Sequence, residues 1–171
     1  AENDMLTGVL NKKTMEKRVS LMLKNRGDKY VIFYMVDLDN FKNVNDTLGH
    51  IYGDQAIVET AQCLNKVFAN QDCIGRLGGD EFAVCVSYQA FDEQGLLEFI
   101  GKKAQEICAG NRRTYTDNAA SVSITSSIGV AYAPDMGDSF TELYTQADCA
   151  LYYSKANGKD QYHIYSPKDD N

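Results

Sequence analysis

Cys73-Ile74-Gly75-Arg76-Leu77-Gly78-Gly79-Asp80-Glu81-Phe82-Ala83-Val84-Cys85-Val86 is two short apolar runs around a diglycine bend. The runs Cys73 to Leu77 and Phe82 to Val86 have the composition of strands, and Gly78-Gly79-Asp80-Glu81 between them signals a tight hairpin. The two glycines permit positive φ there and let a bulky ligand approach the backbone.

Working outward, Tyr30 to Leu38 is an apolar, β-branched and aromatic run, as expected of a buried strand, and it ends in Asp37-Leu38-Asp39. A short helix from Asn40 to Leu48 should follow, then a packed helix from Asp54 to Phe68 with Ile57, Ala61, Leu64 and Phe68 on one face. Met15, Val19, Met22 and Leu23 set a helix from Lys12 to Lys24 that stops at Asn25 to Asp28. A third long helix runs from Asp92 to Ala109, with Leu96, Ile100, Ala104 and Ile107 inward and Gly110-Asn111 as its stop. Val122 to Ala133 reads as a strand. Ser139-Phe140-Thr141-Glu142 is a capping box for a helix to Ala156, ended by Gly158, and Gln161 to Tyr165 is a closing strand. The pattern predicts an α+β layer fold, a mostly antiparallel sheet with a ferredoxin-like βαββαβ core flanked by helices.

The chain has 171 residues, one domain's worth, with a net charge of −7. That balance argues against a nucleic-acid surface and against contact with an anionic membrane. It does not exclude a small anionic substrate held through cations. No apolar run is long enough for a transmembrane helix, and Ala1-Glu2-Asn3-Asp4 does not open a signal peptide. Cys63, Cys73, Cys85, Cys108 and Cys149 show neither zinc nor redox spacing, so buried free thiols in a reducing, cytoplasmic setting are expected. The fold signals begin almost at once, so the sequence reads as residues 1–171 of a larger protein, whose full length leaves membrane anchoring open.

Two pairs of acids carry the chemistry. Asp37 and Asp39 end the first strand, and Asp80 and Glu81 sit in the hairpin. If the hairpin strands pair beside the first strand, both clusters meet at one sheet edge. Oxygen ligands of this kind suit Mg2+ and a metal-assisted, in-line phosphoryl displacement. Either pair alone is better read as a solvated acidic turn.

Gly78-Gly79-Asp80-Glu81-Phe82 spells GGDEF, and the chain resembles the family named for that signature, the diguanylate cyclases. Asp4 to Gly8 is similar to that family's DxLTG. Asp37 to Asp46 resembles its DxDxFKxxND, and Gly49-His50 with Gly53-Asp54 its GHxxGD. Ser127 to Ala131 resembles SIGVA, and Ala147 to Lys159 the ADxALYxAKxxGRN ending. Order and spacing agree from Asp4 to about Tyr165.

The resemblance implies a nucleotidyl-cyclase, palm-like fold and the condensation of two GTP into cyclic di-GMP with loss of two pyrophosphates. It implies two Mg2+ per site, with Mn2+ as a substitute, on Asp37, the Leu38 carbonyl, Asp80 and Glu81. Asp80 and Glu81 share metal binding and proton abstraction, and Lys42 stabilises transition-state charge. Asn45 and Asp54 read guanine, for which a carboxylate accepting from N1–H and the exocyclic amine is apt. His50 and Phe41 line the nucleotide site, and Lys155 and Lys159 grip the terminal phosphates. Considered alone, Asn45 and Asp54 are helix caps, His50 is a structural histidine and the three lysines are solvated. Catalysis implies a two-fold homodimer, because one site holds one GTP. An N-terminal sensory or regulatory domain is expected in the full-length protein.

Three positions depart from the family pattern. Lys12 follows Asn11 where Arg is usual, and Lys159 replaces a frequent Arg, losing its bidentate fork. The inhibitory RxxD motif retains Asp72 but has Ala69 in place of its arginine, which predicts weak or absent product inhibition. Arg76 is placed to support the hairpin. The rival readings are a non-catalytic module that binds GTP or cyclic di-GMP, and a cyclase with a mixed or mononucleotide product.

Overall fold

The computed structural model describes residues 1–70 and 72–170. Helix α1 (Lys12–Lys24) precedes strand β1 (Tyr30–Asp39), followed by α2 (Phe41–Leu48), α3 (His50–Val67), β2 (Cys73–Gly78) and β3 (Glu81–Tyr88). Then come α4 (Glu93–Gly110), β4 (Arg113–Thr116), β5 (Ser121–Ala133), α5 (Phe140–Ala156), β6 (Gln161–Ile164) and a 3-10 turn at Pro167–Asp170.

The sheet order is β2-β3-β1-β5-β4, with β6 parallel to β5 and every other pairing antiparallel. The order β2-β3-β1-β5 is that of the expected ferredoxin-like core. Strand β1 lies at the centre and is buried along both faces, which explains its continuous apolar run. Ile32, Tyr34, Val36 and Leu38 pack with α2, α3 and α4, while Val31, Phe33 and Met35 pack with α1 and α5. At Gly129 of β5 an added Cβ would lie 2.0 Å from the Ala147 carbonyl oxygen of α5. The glycine of the SIGVA strand is thus what lets α5 lie directly on the sheet.

Capping agrees with the sequence. The Ser139 hydroxyl accepts from Glu142 N at 3.1 Å while the Glu142 carboxylate reaches back to Ser139, and Gly158 follows α5 at φ 113°. Three expectations need correction. Helix α3 starts at His50, not Asp54, so Asp54 is an exposed residue inside the helix and caps nothing. Asn45 lies within α2 and is not a cap either. Gly78 and Gly79 are outside the left-handed region, and a Cβ on either would meet nothing, so their use is a bare hairpin tip. All five cysteines are free, but Cys63 and Cys149 are only partly buried. Among the described residues no helix is long and apolar enough to cross a membrane.

The segment before α1 is bound to the sheet. Leu10 bridges Gly75 in parallel, its N–H donating to Ile74 O at 3.0 Å and its carbonyl accepting from Arg76 N at 2.9 Å. The free edge of β2 is thereby covered at its middle.

Candidate active site

The end of β1 sits in register between two neighbours. Asp37 faces Glu81 of β3 on one side and Ser127 of β5 on the other. Leu38 N–H donates to Asp80 O at 3.2 Å, so the hairpin tip is joined to the end of β1. The Asp80 carboxylate is near enough for its charge to act on Asp37. Burial, and then that neighbouring carboxylate, push Asp37 up to about 7 against the pull of Lys155. Asp37 Oδ1 is buried with no hydrogen-bond partner, while Oδ2 is 3.0 Å from Lys155 Nζ. An orphaned carboxylate oxygen beside a second carboxylate and a strand-end carbonyl is a set of donors that a hard divalent cation fits. Among the described residues no three His, Cys, Asp or Glu side chains gather into a complete cage. Mg2+ does not need one, because it keeps waters and substrate oxygens in its shell.

Glu81 shares Asp37's face of the ladder but has different company. Tyr144 and Asp148 of α5 and Lys12 of α1 surround its carboxyl. Burial, Asp148 and Asp80 raise it, outweighing Lys12 and Tyr144.

From Asp39 the chain enters α2 through Asn40, held at φ 69° while its amide donates to Ser123 O at 3.0 Å. A left-handed residue is costly unless it is Gly, Asn or Asp, and Asn serves here. The side chain of Asn40 does not cap α2; Asn43 N–H turns back to Asn40 O at 3.1 Å, and the N–H groups of Phe41 and Lys42 stand at the helix N-terminus, a natural place for phosphate. They open on a cleft of about 410 Å³ lined by Leu38, Phe41, Lys42 and Asp80 among others. Phe41 is half-buried against the core, and Lys42 is exposed with Asp46 2.7 Å away. Farther along, His50 and Asp54 are exposed on α3, and buried Gly53 meets the half-buried Asn45. A Cβ at Gly53 would lie 1.8 Å from Asn45 Oδ1, so only glycine leaves room for that side chain.

Lys155 and Lys159 occupy the opposite side. Lys155 bridges Asp37 and Asp39, at 3.0 and 3.3 Å. Lys159 is exposed on a turn at φ 62°. Asp39 is 2% exposed and accepts from Thr125 Oγ1 and Ser127 Oγ at 2.7 Å each. Burial would raise it, but those hydroxyls, the Asp160 N–H and Lys155 hold it below the usual carboxylate range.

Arg76 does support the hairpin. Its guanidinium donates to Gly79 O at 2.8 Å and reaches Asp4 at 3.3 Å, linking the opening motif to the diglycine tip. Asp72 turns its carboxylate back to accept from Ala69 N at 3.0 Å. The partnership of Asp39 with Thr125 and Ser127 escaped the sequence reading. A Thr-x-Ser alternation on the strand beside an Asp-x-Asp end was its one available signal.

A family model described as "Diguanylate cyclase, GGDEF domain" matches residues 1–161. The chain is 30% identical over 168 residues to a protein named cyclic di-GMP phosphodiesterase PdeR from Escherichia coli (strain K12), covering 98% of this chain and 24% of that protein. It is 33% identical over 168 residues to one named bifunctional diguanylate cyclase/cyclic di-GMP phosphodiesterase MucR from Pseudomonas aeruginosa, covering 96% and 24%. The chain therefore spans about a quarter of the length of these relatives. The solved GGDEF domain of TpbB, or YfiN, from Pseudomonas aeruginosa superposes with a TM-score of 0.88 at 29% identity, covering 98% of this chain and 96% of that one.

Proposed function

This chain belongs to the diguanylate cyclase GGDEF domain family, and from that premise we propose that it condenses two GTP molecules into cyclic di-GMP, releasing two pyrophosphates. The observation that carries this reading is Asp37 Oδ1, a buried carboxylate oxygen without a partner, near Asp80, which lines the cleft.

On this reading Asp37, the Leu38 carbonyl and Asp80 would hold divalent cations. When bound, these supply charge neutralisation at the phosphates and acidify the attacking hydroxyl. Magnesium is the first expectation and manganese a substitute. Asp80 and Glu81 share metal binding and removal of the 3'-hydroxyl proton, and burial, Asp148 and Asp80 raise the proton affinity of Glu81. The first-turn N–H groups of α2 receive phosphate oxygens, with Lys42 at the cleft rim. Lys155 and Lys159 complement the terminal phosphates from the other side. Asn45 accepts or donates at the guanine edge, and Asp54 accepts from N1–H and the exocyclic amine, with Phe41 and His50 beside the nucleoside. One site orients one 3'-hydroxyl and one α-phosphate, so two copies must face each other for both bonds to form. The domain would act within a longer protein whose other parts drive that pairing. With Ala69 lacking a side chain that could grip guanine, product feedback is weak.

Incubation with GTP and Mg2+, following pyrophosphate and chromatographing the product, tests this. Cyclic di-GMP formation that disappears in Asp80→Ala is the expected result. GTP or cyclic di-GMP binding with no turnover would replace the reading with a non-catalytic binding module. That alternative has support from the phosphodiesterase name of PdeR.

A further inference from the structure

Resting on that reading, we propose that Asp39 is a positioning residue that aims both lysines of the phosphate side, Lys155 and Lys159, and is not itself a ligand. Asp39 and Asp37 end the same strand, yet their oxygens are in opposite conditions. Oδ1 of Asp39 accepts from Ser127 Oγ at 2.7 Å and from Lys155 Nζ at 3.3 Å. Oδ2 accepts from Thr125 Oγ1 at 2.7 Å and from Asp160 N at 3.2 Å. A carboxylate has about four acceptor positions, and all are taken. Asp37, two residues away, retains a bare oxygen. One acid is therefore free to receive a ligand, while the other is consumed in holding the scaffold.

What it holds is the phosphate side. Lys155 projects from the last turn of α5, half-buried between the two acids. When substrate occupies the site and draws on Asp37, Asp39 is the partner that Lys155 retains. Asp39 keeps the ammonium in place, where a long flexible stem would otherwise swing out. The second tie is to the turn after α5. Gly158, Lys159 and Asp160 stand at φ 113°, 62° and 49°, three consecutive left-handed residues of which Lys159 carries a side chain that disfavours this region. Such a turn persists only where its surroundings over-determine it. Asp160 N–H on Asp39 and the Asp160 carboxylate on Arg112 Nε at 2.9 Å supply that constraint. The backbone that presents Lys159 is thus fixed by the same carboxylate that fixes Lys155.

The test is calorimetric binding of inorganic tripolyphosphate in Mg2+, with GMP as the nucleoside-side control, alongside steady-state kinetics with GTP. Asp39→Asn keeps the volume but turns an amide toward donors. Tripolyphosphate affinity should fall about tenfold while GMP affinity holds, and KM should rise more than kcat falls. In the Lys155→Met/Lys159→Met background, Asp39→Asn should add little further loss. Full additivity, unchanged tripolyphosphate affinity, or equal loss of tripolyphosphate and GMP overturns the proposal. If Asp39→Asn does not fold, Thr125→Val removes one tie and must weaken tripolyphosphate selectively, and no effect there also overturns it. A wild-type chain that makes cyclic di-GMP while Asp39→Asn binds tripolyphosphate normally defeats this inference alone. Wild-type protein that neither turns over nor binds GTP defeats the parent reading with it.

Discussion

The main-chain N–H of Leu38 is bonded to the main-chain carbonyl of Asp80 at 3.2 Å, across the gap between a central strand and a hairpin tip. This bond fixes the main-chain separation from which the Asp37 and Asp80 carboxylates project. The two acids should therefore behave as a unit. Asp37→Asn and Asp80→Asn should each lower cyclic di-GMP formation by about a thousandfold, and the double variant should be little worse than either. Rates multiplying in the double variant would show that the acids act separately.

Gly53 and Asn45 give a second prediction. A methyl at Gly53 would displace Asn45 Oδ1, which lies 1.8 Å from the required Cβ position. Gly53→Ala should raise the KM for GTP about tenfold, the scale of one or two hydrogen bonds. Thermal stability should hold or rise, since Ala is the better helix former. A fall in melting temperature without any change in KM would contradict this.

Arg76 joins Asp4 to the Gly79 carbonyl through several donors. Lysine cannot reproduce the fork. Arg76→Lys should lower kcat about tenfold through a looser hairpin, with a loss of stability of only about 1 kcal/mol. Hydrogen exchange at Gly79 to Glu81 should quicken in the same variant, and unchanged protection would refute the linkage.

Asp37 makes stability depend on pH in protein freed of divalent cations. Burial and then Asp80 raise its folded pKa to about 7, well above its ordinary value. A raised acid keeps its proton longer in the folded state, so its contribution is complete below about pH 4 and is lost as pH rises through 7. The melting temperature should fall from pH 5 to 8 relative to Asp37→Asn. Added Mg2+ should reverse the loss above pH 7 by favouring the ionised form. Parallel pH profiles for the two proteins would show that Asp37 is not the group responsible.

Arg113 holds β4 to the helices. It donates to Asn111 Oδ1 at 2.9 Å, Thr60 Oγ1 at 2.7 Å and Ala56 O at 3.1 Å, and Asn111 is fully buried. Arg113→Met strands those acceptors and should cost about 2–4 kcal/mol in denaturant unfolding. Turnover per folded molecule should be nearly unchanged. A stability loss below 0.5 kcal/mol would contradict this account.

The core of the fold was legible because its signals are strong. The apolar run of β1 and the Ser139–Glu142 box carried their elements unambiguously. The start of α3 was misread because Gly49 and Gly53 look like loop residues, whereas Gly53 is helical to make room for Asn45. Strand β4 was missed because four residues, two of them threonines and one an arginine, give no periodicity, and long-range bonds from Arg113 hold it. At the site, motif resemblance found the acids, while geometry separated them. It distinguishes an orphaned Asp37, a saturated Asp39 and a Glu81 facing α5, three acids whose surroundings no letter in the sequence reveals.

The strip of chain ahead of α1 has a mechanical corollary. Leu10 is zipped to β2, and Asp4 grips the guanidinium that clasps the Gly79 carbonyl. Tension applied along residues 2–10 would not dissipate in a slack tail. It would run through one arginine to the peptide adjoining Asp80, making this stretch a short tendon with its insertion at the hairpin tip.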